Sequence, residues 1–147
     1  MSFSDDIAKF AQKAANNADI LVRKTVIDIG TRLVNRTPVG DAKYWKSKPP
    51  AGYVGGHARA NWSHSEGVRV VQEYDTIDPS GAASNIRILS SVPIKAGGKV
   101  HFVQNSVPYI QALEDGHSKR QCPPGGMVAL TATEFQGLVN EIAGGLK

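Results

Sequence analysis

Four histidines and one cysteine are the residues of this chain whose side chains most readily take part in catalysis or bind a metal. The histidines are His57, His64, His101 and His117, and the cysteine is Cys122. They contain neither an H-E-x-x-H sequence nor the paired Cys/His spacing of a zinc site. His117 and Cys122 are close enough in sequence to share a site, but no flanking motif supports metal ligands or a nucleophile pair. We therefore predict no metal site, and we keep a small hydrolase built on histidine and cysteine only as a third functional alternative.

The adjacent carboxylates of Glu114 and Asp115 do not form a general acid/base pair. On a helix, neighbouring side chains point about 100° apart, so the two groups cannot act together on one substrate. Glu114 is instead predicted to form a salt bridge or a cap near the loop that it precedes. The glycine pairs at 97–98 and 144–145 lack the strand-to-helix setting of a phosphate-binding loop. We predict no catalytic residue and no cofactor, and we do not expect an enzyme.

The composition is that of an ordinary globular chain with an uneven positive charge. The 147 residues suit one domain, and 41% of them are hydrophobic and 20% charged, with a formal net charge of +4. The basic excess lies in the first third of the chain, chiefly at Arg32, Arg36, Lys43, Lys46 and Lys48. Such a cluster could face DNA or an acidic partner, or could form only a solvated surface.

The sequence also bears on the compartment. A single cysteine excludes an internal disulfide and fits a reducing environment. The N-terminus lacks the basic and apolar regions of a signal peptide, and no apolar run approaches the roughly 18 residues of a membrane span. We therefore expect neither secretion by the usual route nor a membrane partner.

A long helix is predicted over residues 1–37. Ser2 and Asp5 form a plausible capping box, and Thr37-Pro38 ends the helix because a residue before proline resists the α conformation. Apolar residues recur at steps of three and four, although alanines make the first half of this stripe thin. About thirty residues give a helix roughly 45 Å long, more than this domain needs. The segment is either a kinked core helix or a helix whose end packs on a neighbouring subunit.

Residues 38–66 are predicted to form an extended arm. The segment is rich in proline and glycine, lacks periodicity, and carries Tyr44, Trp45 and Tyr53 among basic residues. This composition suits either stacking on nucleic acid or aromatic anchoring on another protein. The end of the arm should lead back into the body, with Trp62 in or near the core.

Residues 67–147 are predicted to hold an antiparallel sheet and a C-terminal helix. Alternating patterns predict strands at Val68–Tyr74, Asn85–Val92 and Val100–Val103. Two turn sequences separate them: Asp78-Pro79-Ser80-Gly81 and Ala96-Gly97-Gly98-Lys99. Sequential strands joined by turns predict an antiparallel meander.

The stretch after the last strand predicts two helices. Pro108 suits the first turn of a short helix, which Glu114 and Asp115 close and after which Gly116 can take the left-handed conformation. An amphipathic helix is predicted from Met127 to Ile142. Between them lies a basic loop, His117 to Gly126, which includes Lys119 and Arg120. Its tip could face passing DNA or an acidic partner ring, or could be a plain connector.

These elements predict a single domain, residues 1–147, of the α+β class. A long N-terminal helix and a C-terminal helix pack on a small antiparallel sheet of three to five strands, with an extended arm after the first helix. The hypothesis rests on periodicity and on the turn signals between the segments.

Two blocks of the sequence form a recognisable pattern. The first is similar to T-P-V-D-T-G…R-x-N-W and is read at Thr37, Pro38, Val39, Gly40, Arg59, Asn61 and Trp62. The second is similar to N-x-x-x-Y-A-x-x-L-E-x-G-x-S-x-Q-A-P-x-G-M and is read at Asn105, Tyr109, Leu113, Glu114, Gly116, Ser118, Gln121, Pro123 or Pro124, Gly126 and Met127. Both blocks resemble the minor tail-component family, the tail-completion and neck proteins of long-tailed bacteriophages. The chain departs from that pattern at Gly40-Asp41, which stands where Asp-Thr-Gly is usual. It also departs in an insert from Asp41 to Ala58 and at Ile110 and Cys122, which replace alanines.

The resemblance implies a structural virion protein that acts in virion assembly as a tail-completion or head–tail neck ring subunit. It implies a homo-oligomeric ring, for which a hexamer is expected, and contacts with other neck, connector or tail-tube proteins and with passing DNA. The protein would lie in the virion neck or tail, and in the host cytoplasm during assembly. The candidate interface residues are Tyr44, Trp45, Tyr53, Arg59, Trp62, Tyr109, Glu114, His117, Lys119 and Arg120. The alternative is a nucleic-acid-binding protein that uses the basic aromatic arm.

Overall fold

Helices and two short strands alternate along the chain. The computed structural model describes residues 2–116 and 125–147. Within these residues the elements are α1 (Phe3–Arg36), a 3₁₀ turn (Ala42–Tyr44), α2 (His57–Ala60), β1 (Ser63–Glu66), α3 (Ala82–Ser91), β2 (His101–Gln104), α4 (Ile110–Glu114) and α5 (Met127–Gly144). The predicted α+β class is confirmed, with a long N-terminal helix, a C-terminal helix and a small antiparallel sheet.

Helix α1 is continuous over 34 residues and has the predicted ends. Ser2 Oγ accepts a hydrogen bond from Asp5 N at 3.2 Å, and Ser2 N donates to the Asp5 carboxylate at 3.1 Å, which completes the capping box. Thr37 ends the helix in an extended conformation, with ψ of 126°, as the following proline requires. None of the described helices is apolar over a length that would let it cross a membrane.

The sheet within the described residues has two strands, so the prediction of three to five is wrong. β1 pairs with β2 in antiparallel register, from Ser63 opposite Gln104 to Glu66 opposite His101. The strand predicted at Val68–Tyr74 is wrong, because this segment has no regular secondary structure. Two of its backbone N–H groups donate to side chains instead of to a neighbouring strand. Val70 N donates to Gln104 Oε1 at 3.0 Å, and Tyr74 N donates to the Asn61 carboxamide oxygen at 2.7 Å.

The strand predicted at Asn85–Val92 is wrong because this segment forms helix α3. Ser84, Ile88 and Val92 are four residues apart, so a helix places all three on one buried face. The turn predicted at residues 78–81, just before this helix, is confirmed. The Asp78 carboxylate accepts from Gly81 N at 3.1 Å and from Ser84 N at 2.8 Å. The turn at 96–99 is present but follows a helix, so the predicted meander is absent from the described part of the chain.

The last three predicted elements are confirmed. Strand β2 ends before Asn105, as predicted, and α4 begins at Ile110, so Pro108 lies just before the helix rather than in its first turn. Gly116 has a φ of +81°, the left-handed conformation predicted after the short helix. Helix α5 extends two residues beyond the predicted end at Ile142. Residues 117–124 of the predicted basic loop lie outside the described residues.

The core lies between the second half of α1 and the elements that pack on it. Its buried apolar side chains are Val26, Leu33, Val34, Trp62, Ile88, Val92, Ala96 and Met127. Trp62 is 3% exposed, which confirms its predicted place in the core. Helix α5 runs antiparallel to α1, since Arg36 contacts Thr131 near the start of α5 and Asn17 contacts the carbonyl of Lys147. Residues 2–16 of the chain are exposed throughout.

Candidate partner interface

Three aromatic residues selected separately from the sequence line one cavity. Trp45 and Tyr53 of the arm and Tyr109 before α4 border a space of about 650 Å³. The Trp45 and Tyr53 rings meet edge to face, with centroids 4.9 Å apart. Ala112 and Leu113 of α4 form another part of the wall. The cavity therefore combines aromatic and aliphatic surface from two segments far apart in sequence.

The arm closes at its base because two glycine backbones touch. A Cβ atom on Gly55 would overlap the backbone of Gly40, and one on Gly40 would overlap the Tyr53 hydroxyl. Only residues without a side chain permit this approach. Within the loop, Asp41 caps the 3₁₀ turn by accepting from Lys43 N at 3.0 Å. The contact between the two glycine backbones and the cap from Asp41 fix the shape of the loop, and Tyr53 of this loop lines the cavity.

Next to Pro38 of the cavity lining, Thr37 joins the end of α1 to α2. The Thr37 hydroxyl accepts from Trp62 Nε1 at 2.6 Å, and its carbonyl accepts from Arg59 Nη2 at 2.8 Å. Arg59 Nη1 also donates to the carbonyl of Pro79 at 2.6 Å. Burial lowers the pKa of the Arg59 guanidinium, while the nearby charge of Asp78 acts in the opposite direction. Arg59 and Trp62, two of the candidate interface residues, thus use their polar groups inside the subunit, and neither lines the cavity.

His57 forms a polar rim to the cavity, and Glu73, which does not line the cavity, pairs with it. His57 Nδ1 lies 2.9 Å from the carbonyl of Thr76, and Nε2 lies 2.8 Å from the Glu73 carboxylate. Both neighbours are acceptors, so only the protonated imidazolium can donate to both. The hydrogen bond to Glu73 raises the pKa of His57. Tyr109 stands beside this pair, its ring centroid 6.5 Å from that of His57, and burial raises the pKa of its phenol.

Glu114 connects the cavity wall to the last helix. Its carboxylate accepts from Met127 N and Val128 N at 2.8 Å and from Ala129 N at 2.9 Å. These are the first backbone donors of α5, which have no partner within the helix. The cap predicted for Glu114 is therefore present, and it spans from one helix to another. Gly126 has a φ of +85°, and a Cβ there would collide with the same carboxylate.

The predicted basic cluster is divided by the fold. Arg32 and Arg36 both pair with Glu134 of α5, and the two guanidinium groups hold the pKa of that carboxylate below its usual range. Lys43 pairs with Asp41 at 3.1 Å and lies over the ring of Tyr44, which is exposed. Lys46 and Lys48 lie exposed on the arm. The candidate residues His117, Lys119 and Arg120, and Cys122 with them, lie outside the described residues.

The sequence did not identify one imidazole pair. His64 and His101 stack with centroids 5.2 Å apart, and His64 Nε2 lies 2.9 Å from His101 Nδ1. Burial and the neighbouring His101 lower the pKa of His64. The β1–β2 pairing brings the two residues together, and only a correct pairing of these strands would have indicated the contact.

Searches against protein-family models, curated proteins and solved structures find no match to this chain. What the protein does must therefore be inferred from its own surfaces and from the resemblance in its two sequence blocks. The aromatic cavity is the surface on which the largest number of candidate residues converge.

Proposed function

We propose that this protein is a structural subunit of a tailed-phage virion, which completes the tail or forms the neck ring during assembly. The observation that carries the proposal is the convergence of Trp45, Tyr53 and Tyr109 on one cavity. Tyrosine and tryptophan are favoured anchors at protein interfaces because they bury a large area with few rotamers. A cavity lined by them suits an inserted side chain from a partner subunit.

The residues that carry the family resemblance support the same proposal. Pro38 and Gly40 of the first block, and Tyr109 and Leu113 of the second, line the cavity. Glu114 fixes α4, a wall of the cavity, to Met127 at the start of α5. Both blocks therefore surround the surface that we assign to partner contact. Partners include further copies in a ring, expected to be a hexamer, and other neck, connector or tail-tube proteins.

A phage complementation experiment tests the proposal. Replacing Trp45 by Ala should leave the subunit folded, since Trp45 is exposed and the core lies elsewhere, but should reduce head–tail joining at least tenfold. Val71→Ala is the control, because Val71 is exposed and does not line the cavity. Joined, infectious particles in normal number from phage that lack the protein altogether would refute the function. Unfolding of the Trp45 variant would place that residue in the core.

One observation favours a second function, nucleic-acid binding. Lys46 and Lys48 lie exposed on the arm that carries Trp45, so bases could stack while phosphates meet lysine. Binding of this kind falls steeply as salt rises. Purified protein should then retard single-stranded DNA at low salt, and Lys46→Gln with Lys48→Gln should reduce that binding. Binding that the double variant leaves unchanged would exclude the arm as the nucleic-acid site.

A further inference from the structure

The first half of α1 extends beyond the rest of the described structure and carries an unusual apolar stripe. Phe3, Ile7 and Phe10 are 80%, 52% and 72% exposed, and with Ala14 they recur at helical steps of three and four. At about 200 Å² per side chain, the two phenylalanines alone expose roughly 300 Å² of apolar surface. A patch of that size on one helix face usually marks a contact surface.

A second apolar surface lies along the other half of the same helix. Two cavities of about 360 and 380 Å³ between α1 and α5 share Ile29 and Phe135, so they form one groove. The groove is almost entirely apolar, and its walls include Ile29, Leu33, Val128, Ala132, Phe135 and Val139. Val128 and Phe135 each remain about half exposed within it. A groove between two helices is a common receptor for a third amphipathic helix.

The stripe and the groove match in length and in chemistry. From Phe3 to Ala14 the stripe spans eleven helical steps, and from Val128 to Val139 the groove wall spans the same number, about 17 Å in each case. The stripe cannot enter the groove of its own chain, because α1 is one continuous helix and its second half forms a wall of that groove. A second copy of the chain supplies a groove that the stripe can reach.

We infer that the N-terminal half of α1 of one copy lies in the α1–α5 groove of the next copy. The two surfaces differ, so the contact is heterologous and repeats from copy to copy until a ring closes or a filament grows. The inference deepens the proposed function and rests on it for its setting, a ring of subunits. The contact itself concerns only copies of this chain and can be measured without phage.

Two variants on opposite sides of the contact provide the test. Phe10→Asp places a charge on the stripe, and Ala132→Glu places one in the groove; both positions are exposed, so both proteins should fold. Sedimentation velocity on purified wild-type protein should show a multi-copy assembly, and each variant alone should sediment as a monomer. An equimolar mixture should form a heterodimer, since one variant keeps its groove and the other keeps its stripe. Ile94→Asp, at a position 81% exposed and outside both surfaces, should assemble as wild type does.

Several results would overturn the inference. A wild-type protein that stays monomeric up to high concentration has no such contact. If Ala132→Glu assembles normally while Phe10→Asp does not, stripe pairs with stripe rather than with the groove. A mixture that stays monomeric excludes stripe–groove pairing. Should either variant lose its helical circular dichroism, Phe3→Asp and Val128→Glu provide the same comparison at neighbouring positions. If the purified protein assembles in this way but phage that lack the protein still join normally, the contact stands and only the virion function is refuted.

Discussion

Removing the Glu114 carboxylate should destabilise the junction between the two C-terminal helices. The carboxylate accepts three backbone hydrogen bonds from the first turn of α5, at 2.8 to 2.9 Å. Hydrogen bonds to a charged group contribute about 1.5–3 kcal/mol each, but the donors on the exposed residues Val128 and Ala129 regain water when the acceptor is lost. Loss of a helix cap alone costs about 0.5–2 kcal/mol, and loss of a negative charge at the helix N-terminus costs about 0.3–1 kcal/mol more.

From these contributions we expect Glu114→Ala to lower the free energy of unfolding by about 2–3 kcal/mol. Glu114→Gln keeps one acceptor oxygen but loses the charge, and its amide group would face a backbone donor. We expect it to cost about 1–2 kcal/mol. Most of the loss should appear as early unfolding of α5. Met127, its first residue, is fully buried, so unfolding from this end removes Met127 from the core.

Urea unfolding followed by circular dichroism and by fluorescence of the buried Trp62 measures this effect. Asp115→Ala is the matched control, because Asp115 is the next residue and, among the residues that the structure describes, its exposed carboxylate accepts only from the Gln111 side chain, at 3.0 Å. Its replacement should change stability by no more than about 0.5 kcal/mol. Equal losses in Glu114→Ala and Asp115→Ala would show that the three hydrogen bonds do not stabilise the junction.

Two further substitutions test the packing and the polar rim. Gly30→Ala would place a Cβ atom 2.8 Å from Ile88 Cγ2, so it should cost about 1–3 kcal/mol, and Ile88→Ala in the same chain should remove most of that additional cost. The test is urea unfolding of both single variants and the double variant. If the two losses in the free energy of unfolding simply add in the double variant, Gly30 does not contact Ile88 as described. The His57 pKa is raised by Glu73, so its contribution to stability is present below the unfolded pKa of about 6.5 and is lost as pH rises through the raised pKa. His57→Gln should therefore cost more stability near pH 5.5 than near pH 8.5, and an equal cost at both would show that the ion pair does not form.

Local signals predicted both ends of α1, whereas the start of α5 is capped by Glu114 of another helix. Ser2 with Asp5 begins α1, and Thr37 before proline ends it, so no distant residue is needed to place either end. The same holds for the short α4, which Gly116 ends in the left-handed conformation. Such signals act within a few residues and are visible in any sequence.

Helix α3 could not be predicted in this way because its sequence fits two periods. Isoleucines at 86 and 88 alternate as in a strand, whereas Ser84, Ile88 and Val92 recur as on a helix face. Two distant contacts favour the helix. The Asp78 carboxylate accepts from the backbone of Ser84, and Gly30 of α1 leaves room for Ile88. Neither contact is visible in the segment itself, so tertiary structure decided its conformation.

The candidate site shows a similar division between residue type and position. Trp45 and Tyr53 were selected because aromatic side chains anchor interfaces, and Tyr109 because it belongs to the second sequence block; nothing in their spacing indicated one cavity. Their convergence depends on the contact between the Gly40 and Gly55 backbones, which brings the arm back upon itself. Sequence reasoning therefore identified the groups that could bind a partner but not the shape in which they would do so.

Glu114 links the two surfaces that we assign to assembly. Helix α4, in which it lies, lines the aromatic cavity through Leu113, and helix α5, which it caps, lines the apolar groove through Val128. A shift of one helix against the other would change the shape of both surfaces together. Because three hydrogen bonds from one carboxylate hold this junction, the stability measured for the Glu114 variants also reports how firmly the two surfaces are held relative to each other. Glu114 thus has a structural reason to be a carboxylate: its two charged oxygens accept from three backbone donors at a helix N-terminus, which the single acceptor oxygen of a glutamine could not match.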